Sequence, residues 1–181
     1  LSGGRQTRLS TSEGTAQGRM MLWIDGIRLL SHSPILGIGA GQFAEELGLV
    51  AHNSFVHANV ELGLAGGTAF LTLFYLPIRA LQRIGPQHAA ILDPELARLR
   101  PFLMAIIAGC AVSMLSISRC YVVPTYMVAG LAAAYLRMVP VAPEDAVPRP
   151  SVAMAARLVS INATYLVLVY FFVRFTGKFG S

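Results

Sequence analysis

His52-Asn53-Ser54-Phe55-Val56-His57-Ala58-Asn59-Val60-Glu61-Leu62-Gly63-Leu64-Ala65-Gly66-Gly67 runs from a polar loop into an apolar segment. Asn53 has the side chain of an N-cap, able to accept a hydrogen bond from an orphan N–H of the next turn. A helix started there places Asn53, His57 and Glu61 at i, i+4 and i+8, on one face. Gly63 and Gly67 then form a GxxxG pair, which lets a second helix approach closely. The expectation is a polar cluster at a membrane surface, on a helix held tightly by its neighbours.

Composition points to the same setting. Of 181 residues, 55% are hydrophobic and 13% charged, whereas soluble domains carry about 25% charged residues. Mean hydropathy is +0.60. Four segments, 60–78, 102–118, 121–138 and 155–173, reach or approach the span of about 20 apolar residues that a bilayer requires. The expected fold is all-α, a polytopic transmembrane helix bundle with an outward-facing loop that carries a short interfacial helix. Its divisions are an extracytoplasmic loop at 1–59, three transmembrane helices at 60–138, a Pro-rich cytoplasmic linker at 139–154, and a C-terminal hydrophobic helix at 155–181. The chain opens at Leu1 with no charged-then-apolar leader, and reads as the C-terminal portion of a longer polytopic protein.

Upstream of His52, residues 1–18 are rich in Gly, Ser, Thr and Gln and read as loop. Thr15 is placed to cap a helix over 16–32, with an apolar stripe of Met20, Trp23, Ile24, Ile27 and Leu30. That helix is too short and polar to span, so it belongs at the interface with Trp23 at headgroup depth. The Ser33-Pro34 step ends it. Gly37, Gly39 and Gly41 lack dinucleotide-binding spacing and read as a compact loop whose backbone approaches something closely. Glu45 and Glu46 read as solvated.

The net charge of +5 is scattered at helix ends, which argues against a nucleic-acid partner. Arg79, Arg83, Arg98 and Arg100 outnumber Asp93 and Glu95 in one connector. Arg137, Arg149 and Arg157 outnumber Glu144 and Asp145 in another. Both connectors share a side if all four segments cross, and Lys/Arg excess marks that side as cytoplasmic. The His52 loop then faces outward, into the periplasm or its equivalent. Arg174 and Lys178 fit this poorly, because four crossings leave them outside. Arg119, in the short outer turn, is either an ionisable functional residue at membrane depth or an arginine snorkelling to headgroups. Cys110 and Cys120 show no metal spacing and imply no disulfide.

A His-Asn pair, nine residues, then Gly-x-x-Gly resembles the signature of the O-antigen ligase and polymerase superfamily. Here the pieces are His52-Asn53 and Gly63-Leu64-Ala65-Gly66. Arg19-Met20-Met21-Leu22-Trp23 and Pro34-Ile35-Leu36-Gly37-Ile38-Gly39-Ala40-Gly41-Gln42-Phe43 resemble the family's loop in the same order, so the resemblance covers residues 8–78. It implies a metal-independent glycosyltransferase without a cofactor, at the bacterial inner membrane, in surface polysaccharide (lipopolysaccharide) biosynthesis. The donor would be a polyprenyl-diphosphate-linked glycan, and the acceptor a glycan, a lipid A core or a protein.

Such a transfer displaces a diphosphate from an anomeric carbon. Arginine suits the diphosphate with its fork of donors, and a histidine can take the proton of the attacking hydroxyl. Arg19 and His52 are the candidates for those roles. Asn53, Arg119, His57 and Glu61 are candidates for substrate binding, and Gly63, Gly66 and Gly67 for helix packing. Blander readings stand beside these: Arg19 on a lipid phosphate, His52 as a hydrogen-bonded loop residue, His57 bonding Glu61 to orient the site. A His52/His57/Glu61 metal set lacks the i, i+4 histidine pair of metal-binding helices. From a different class, a transporter or scaffold subunit would show repeat symmetry and broken helices near the midplane, and the sequence displays neither.

Overall fold

A computed structural model describes residues 16–84, 93–139, 148 and 150–176; Thr15, Glu144, Asp145, Arg149 and Lys178 lie outside these. Among the described residues every regular element is a helix: α1 (Ala16–Leu30), α2 (Gln42–Leu47), α3 (Ser54–Arg83), α4 (Pro94–Ser113), α5 (Val123–Met138) and α6 (Val152–Thr176). The starts follow local chemistry. Asn53 Oδ1 accepts from the N–H groups of Phe55 and Val56, both at 3.1 Å. Asp93 accepts from Glu95 N–H at 2.9 Å, with Pro94 opening α4. Ser151 Oγ accepts from Met154 N–H at 3.1 Å.

Helix α3 is the axis, in contact with each of the other five. Ser54 N–H donates to Met114 O at one end, and Arg100 donates to Leu81 O at the other, so α4 runs antiparallel to α3. Tyr165 reaches Asn53, while Arg157 and Met154 line a cavity with Arg79 and Arg83, so α6 is antiparallel as well. The bundle therefore has a His52 end and an arginine-rich end. One core packs Phe55, Phe70, Phe74, Leu103, Ile107 and Tyr135 between α3, α4 and α5. A second packs Leu30, Phe43, Val56, Val60 and Leu166 between α1, α2, α3 and α6.

Helix α3 is not continuous. Gly63 has φ 68 and ψ −174, which separates residues 54–62 from 64–83. A break leaves carbonyls above and N–H groups below without helical partners. The Gly-rich loop supplies all four. Ile38 N–H donates to Val60 O at 3.0 Å and Gly39 N–H to Glu61 O at 2.9 Å. Leu64 N–H donates to Pro34 O at 2.9 Å and Ala65 N–H to Ile35 O at 3.2 Å. The fit requires glycine: a Cβ on Gly63 would lie 2.1 Å from Ile35 O, and one on Gly37 2.4 Å from the Glu61 carbonyl.

The expected GxxxG crossing is thus replaced. Gly63 receives a loop, not a helix. Gly67 makes room for the Asn59 carboxamide, into which a Cβ would project at 2.2 Å, and Gly66 faces Leu62 of its own helix. Asn59 in turn pairs reciprocally with Asn162 of α6, at 3.0 and 2.8 Å, and Asn162 also donates to Thr68 Oγ1 at 3.2 Å. Polar pairs of this kind fasten helices where apolar burial provides little drive.

Helices α3, α4 and α6 are long and apolar enough to cross a membrane. Large apolar side chains such as Phe102, Val112, Leu168, Phe171 and Phe175 stand exposed on α4 and α6, the surface of a protein surrounded by lipid. The segment expected at 121–138 forms α5, whose 16 residues make ~24 Å at 1.5 Å per residue, short of the ~30 Å hydrocarbon core. The other bounds also move. Helix α3 begins at Ser54 rather than 60, and α4 ends at Ser113, after which residues 114–122 fold onto Ser54. Helix α6 runs 25 residues, Val152–Thr176, beyond the expected 155–173 at both ends. Its last turn meets α1, where Thr176 Oγ1 lies 3.3 Å from Met20 Sδ, so Arg174 stands at the His52 end. On α1 the buried stripe is Leu22, Gly26 and Leu30 rather than one led by Met20 and Trp23. Gly26 sets that rotation, because a Cβ there would lie 2.8 Å from the Phe43 ring.

Candidate functional site

Glu61 is the most deeply committed charge at the His52 end, with 1% of its surface exposed. Oε1 accepts from Phe43 N–H at 3.0 Å and faces His57 Nε2 at 3.0 Å; Oε2 accepts from Tyr121 O–H at 2.5 Å. Gly41 N–H is a further donor. Two of these donors open α2, whose first N–H groups have no helical acceptor. A buried carboxylate is costly unless it is paired and hydrogen-bonded, and here four neighbours do that. Burial first, then the bond to Glu61 and its charge, hold the Tyr121 phenol well above its ordinary range, so it stays protonated and donating. Burial also pushes the Cys120 thiol up to about 12, which leaves it a neutral, unreactive group.

His57 packs between Phe43 and Tyr121, with ring centroids 5.1 and 5.9 Å away. Its Nε2 serves Glu61, and its Nδ1 is buried without a partner. Ser118 Oγ, in the turn after α4, is the other such atom among the described residues. Both unpartnered atoms belong to this end of the molecule. Buried polar atoms left unpaired are uncommon, and each asks for a ligand or water.

His52 is held differently. Its φ of 50 is the one positive value at a non-glycine among the described residues. That left-handed backbone costs about 1 kcal/mol or more, and the residues on either side fix it. Ala51 O accepts from Trp23 Nε1–H at 2.6 Å, and Asn53, 2% exposed, caps α3 while accepting from Tyr165 O–H at 3.0 Å. Trp23 is therefore engaged with protein backbone through its indole N–H. The His52 ring is half-buried and has no hydrogen-bond partner among the described residues.

Two arginines belong to the same end. Arg119 N–H donates to Ser54 Oγ at 2.8 Å, Ser54 Oγ donates to Ile117 O at 2.5 Å, and Thr125 Oγ1 donates to Arg119 O at 2.7 Å. The Arg119 backbone is thus pinned two residues from His52. Arg19 lies one turn before Trp23 on α1, the turn tied to Ala51. Both guanidiniums are exposed, with no acidic partner among the described residues.

The structure therefore separates the residues singled out in the sequence. Arg19, His52 and Arg119 belong to the His52 end, and their functional groups have no hydrogen-bond or ion-pair partner among the described residues. Asn53, His57 and Glu61 point inward, and Asn53 and Glu61 are filled by partners from the protein. No three His, Cys, Asp or Glu side chains assemble into a metal-binding group among the described residues, so the His52/His57/Glu61 set does not form. Tyr121, Tyr165 and the Gly41 and Phe43 N–H groups could not be singled out from sequence. Their only trace was the glycine spacing of the loop that carries two of them. No family model, no curated protein and no solved structure matches the chain.

Proposed function

We propose that this chain carries the acceptor-activating site of an O-antigen ligase/polymerase-like glycosyltransferase, working on the outer face of a bacterial inner membrane. The observation that carries the reading is His52: a left-handed residue whose neighbours are fixed on both sides and whose ring has no hydrogen-bond partner among the described residues, with the Arg119 backbone bonded to Ser54 two residues on. Backbone strain persists only where the surroundings hold it, and such positions concentrate at functional sites.

In this reading the His52 ring takes the proton of the acceptor hydroxyl as that oxygen attacks the anomeric carbon. The new carbon–oxygen bond forms as the bond to the polyprenyl diphosphate breaks. The bonding pair leaves on the diphosphate, where Arg19 and Arg119 meet its charge. Glu61, His57 and Tyr121 hold the turn from which Arg119 projects against the start of α2. The arginine excess at the opposite end supports its placement in the cytoplasm, with the His52 end in the periplasm.

The transporter reading gains a broken helix but not its position. Residues 64–83 give ~30 Å at 1.5 Å per residue, a whole span below the break. Gly63 thus sits at the rim of that span rather than at its middle.

Two measurements test the proposal. In a background without Cys110 and Cys120, an impermeant thiol reagent added to intact cells should label a cysteine at Glu46 and not one at Ser151; the reverse pattern removes the orientation. In membranes supplied with labelled lipid-linked glycan, Arg19→Lys should transfer at a small fraction of the wild-type rate, since a point charge lacks the bidentate fork. Full transfer by Arg19→Lys would reduce that residue to a lipid contact.

A further inference from the structure

At the end opposite His52, a cavity of about 280 Å³ is lined by Tyr75, Arg79, Arg83, Pro148, Ser151, Ala153, Met154 and Arg157. Tyr75, Arg79 and Arg83 stand at i, i+4 and i+8 on α3, so they form one stripe along its last turns. Arg157 comes from the facing first turns of α6. Three guanidiniums thus share one cavity, and among the described residues its lining contains no carboxylate. Arg79 donates to Gln82 Oε1 at 3.0 Å, and the acidic partners among the described residues lie elsewhere, at Asp25, Glu61 and Glu95.

Like charges at i, i+4 repel; α6 has no acidic residue, and the one on α3, Glu61, lies toward the opposite end of that helix. Arginine is the side chain whose planar fork fits phosphate oxygens two at a time. The cavity also takes in the start of α6, where Ser151 Oγ already accepts from Met154 N–H and the helix dipole favours an anion. We infer that this cavity binds a phosphate group, carried either by an anionic phospholipid headgroup of the adjacent leaflet or by a free phosphate. Basic pockets between membrane helices accept lipid headgroups on this chemistry. Bound there, the phosphate would tie the end of α3 to the start of α6 and so brace the helix pair that supports the rim at the far end.

The experiment uses the whole chain in phosphatidylcholine nanodiscs, with fluorescent phosphatidylglycerol as one probe and inorganic phosphate as the other. For the lipid source, the wild type retains phosphatidylglycerol, and Arg83→Gln and Arg157→Gln each retain it about fivefold more weakly. Arg98→Gln, outside the cavity and paired with Glu95 at 4.0 Å, should bind as the wild type. For a soluble source, inorganic phosphate raises the unfolding temperature of the wild type and not of Arg157→Gln, while lipid retention is equal in all variants. Unfolding temperatures without either probe show whether a variant is folded; if Arg157→Gln is not, Arg157→Lys replaces it and should bind with intermediate strength. Equal binding of both probes by wild type and folded variants overturns the proposal. The readout involves no glycan transfer, so its failure leaves the transferase reading where it stands.

Discussion

Glu61 and His52 belong to one polar stretch, on either side of the start of α3, yet the fold treats them in opposite ways. Glu61 is 1% exposed and meets Phe43 N–H, Gly41 N–H, His57 and Tyr121. His52 is half-buried, strained at φ 50, and bonded through its ring to nothing among the described residues. The first residue fastens a loop and a turn to α3. The second is held between Ala51, bonded by Trp23, and Asn53, bonded by Tyr165. A polar cluster read from sequence is therefore two things, a frame and a group displayed on it, and the difference lies in where the hydrogen bonds go.

Breaking the frame should give the largest effect. Gly63→Val puts a branched side chain at φ 68, where a Cβ already lies 2.1 Å from Ile35 O. The cost of ~1–3 kcal/mol for a backbone region that is essentially glycine-only and overpacking of ~1–3 kcal/mol together reach about 2–6 kcal/mol, a large share of a protein's stability. The protein should fail to accumulate in membranes, or unfold at much lower temperature in detergent. Wild-type stability in Gly63→Val would mean the loop is not seated on the break.

Thinning the frame by one bond should cost less. Tyr121→Phe removes the 2.5 Å donor to Glu61 Oε2, and a buried acceptor losing a partner costs about 1–3 kcal/mol. The unfolding temperature should fall by several degrees, with transfer reduced but not abolished. If transfer vanished while stability stayed unchanged, Tyr121 would belong with the displayed groups and the contrast with His52 would blur.

Much of this division was within reach of the sequence. The Asn53 cap, the all-helical content and the apolar helices follow from residue types and spacing that act locally. The break at Gly63 does not, because a glycine that admits a second helix and one that breaks its own are the same letter. What decides between them is the backbone of residues 34–39, distant in sequence, donating and accepting at Val60, Glu61, Leu64 and Ala65. The bonds of Tyr121 to Glu61 and Tyr165 to Asn53 are long-range in the same sense. The presence of α6 was legible, but its last turn ends beside Met20, so the arginine that fitted poorly in the sequence belongs to the rim.

The most direct test separates the displayed group from the frame at His52 itself. Glycine adopts φ 50 without the penalty histidine bears, so His52→Gly should leave stability unchanged or raise it by up to about 1 kcal/mol. As a general base, His52 contributes about 10²- to 10⁴-fold in rate. Transfer of labelled lipid-linked glycan by His52→Gly membranes, at equal protein level and with the unfolding temperature measured alongside, should fall by that factor while the temperature holds. Near-normal transfer by the folded variant would contradict the assignment and leave His52 a strained turn residue ahead of the Asn53 cap.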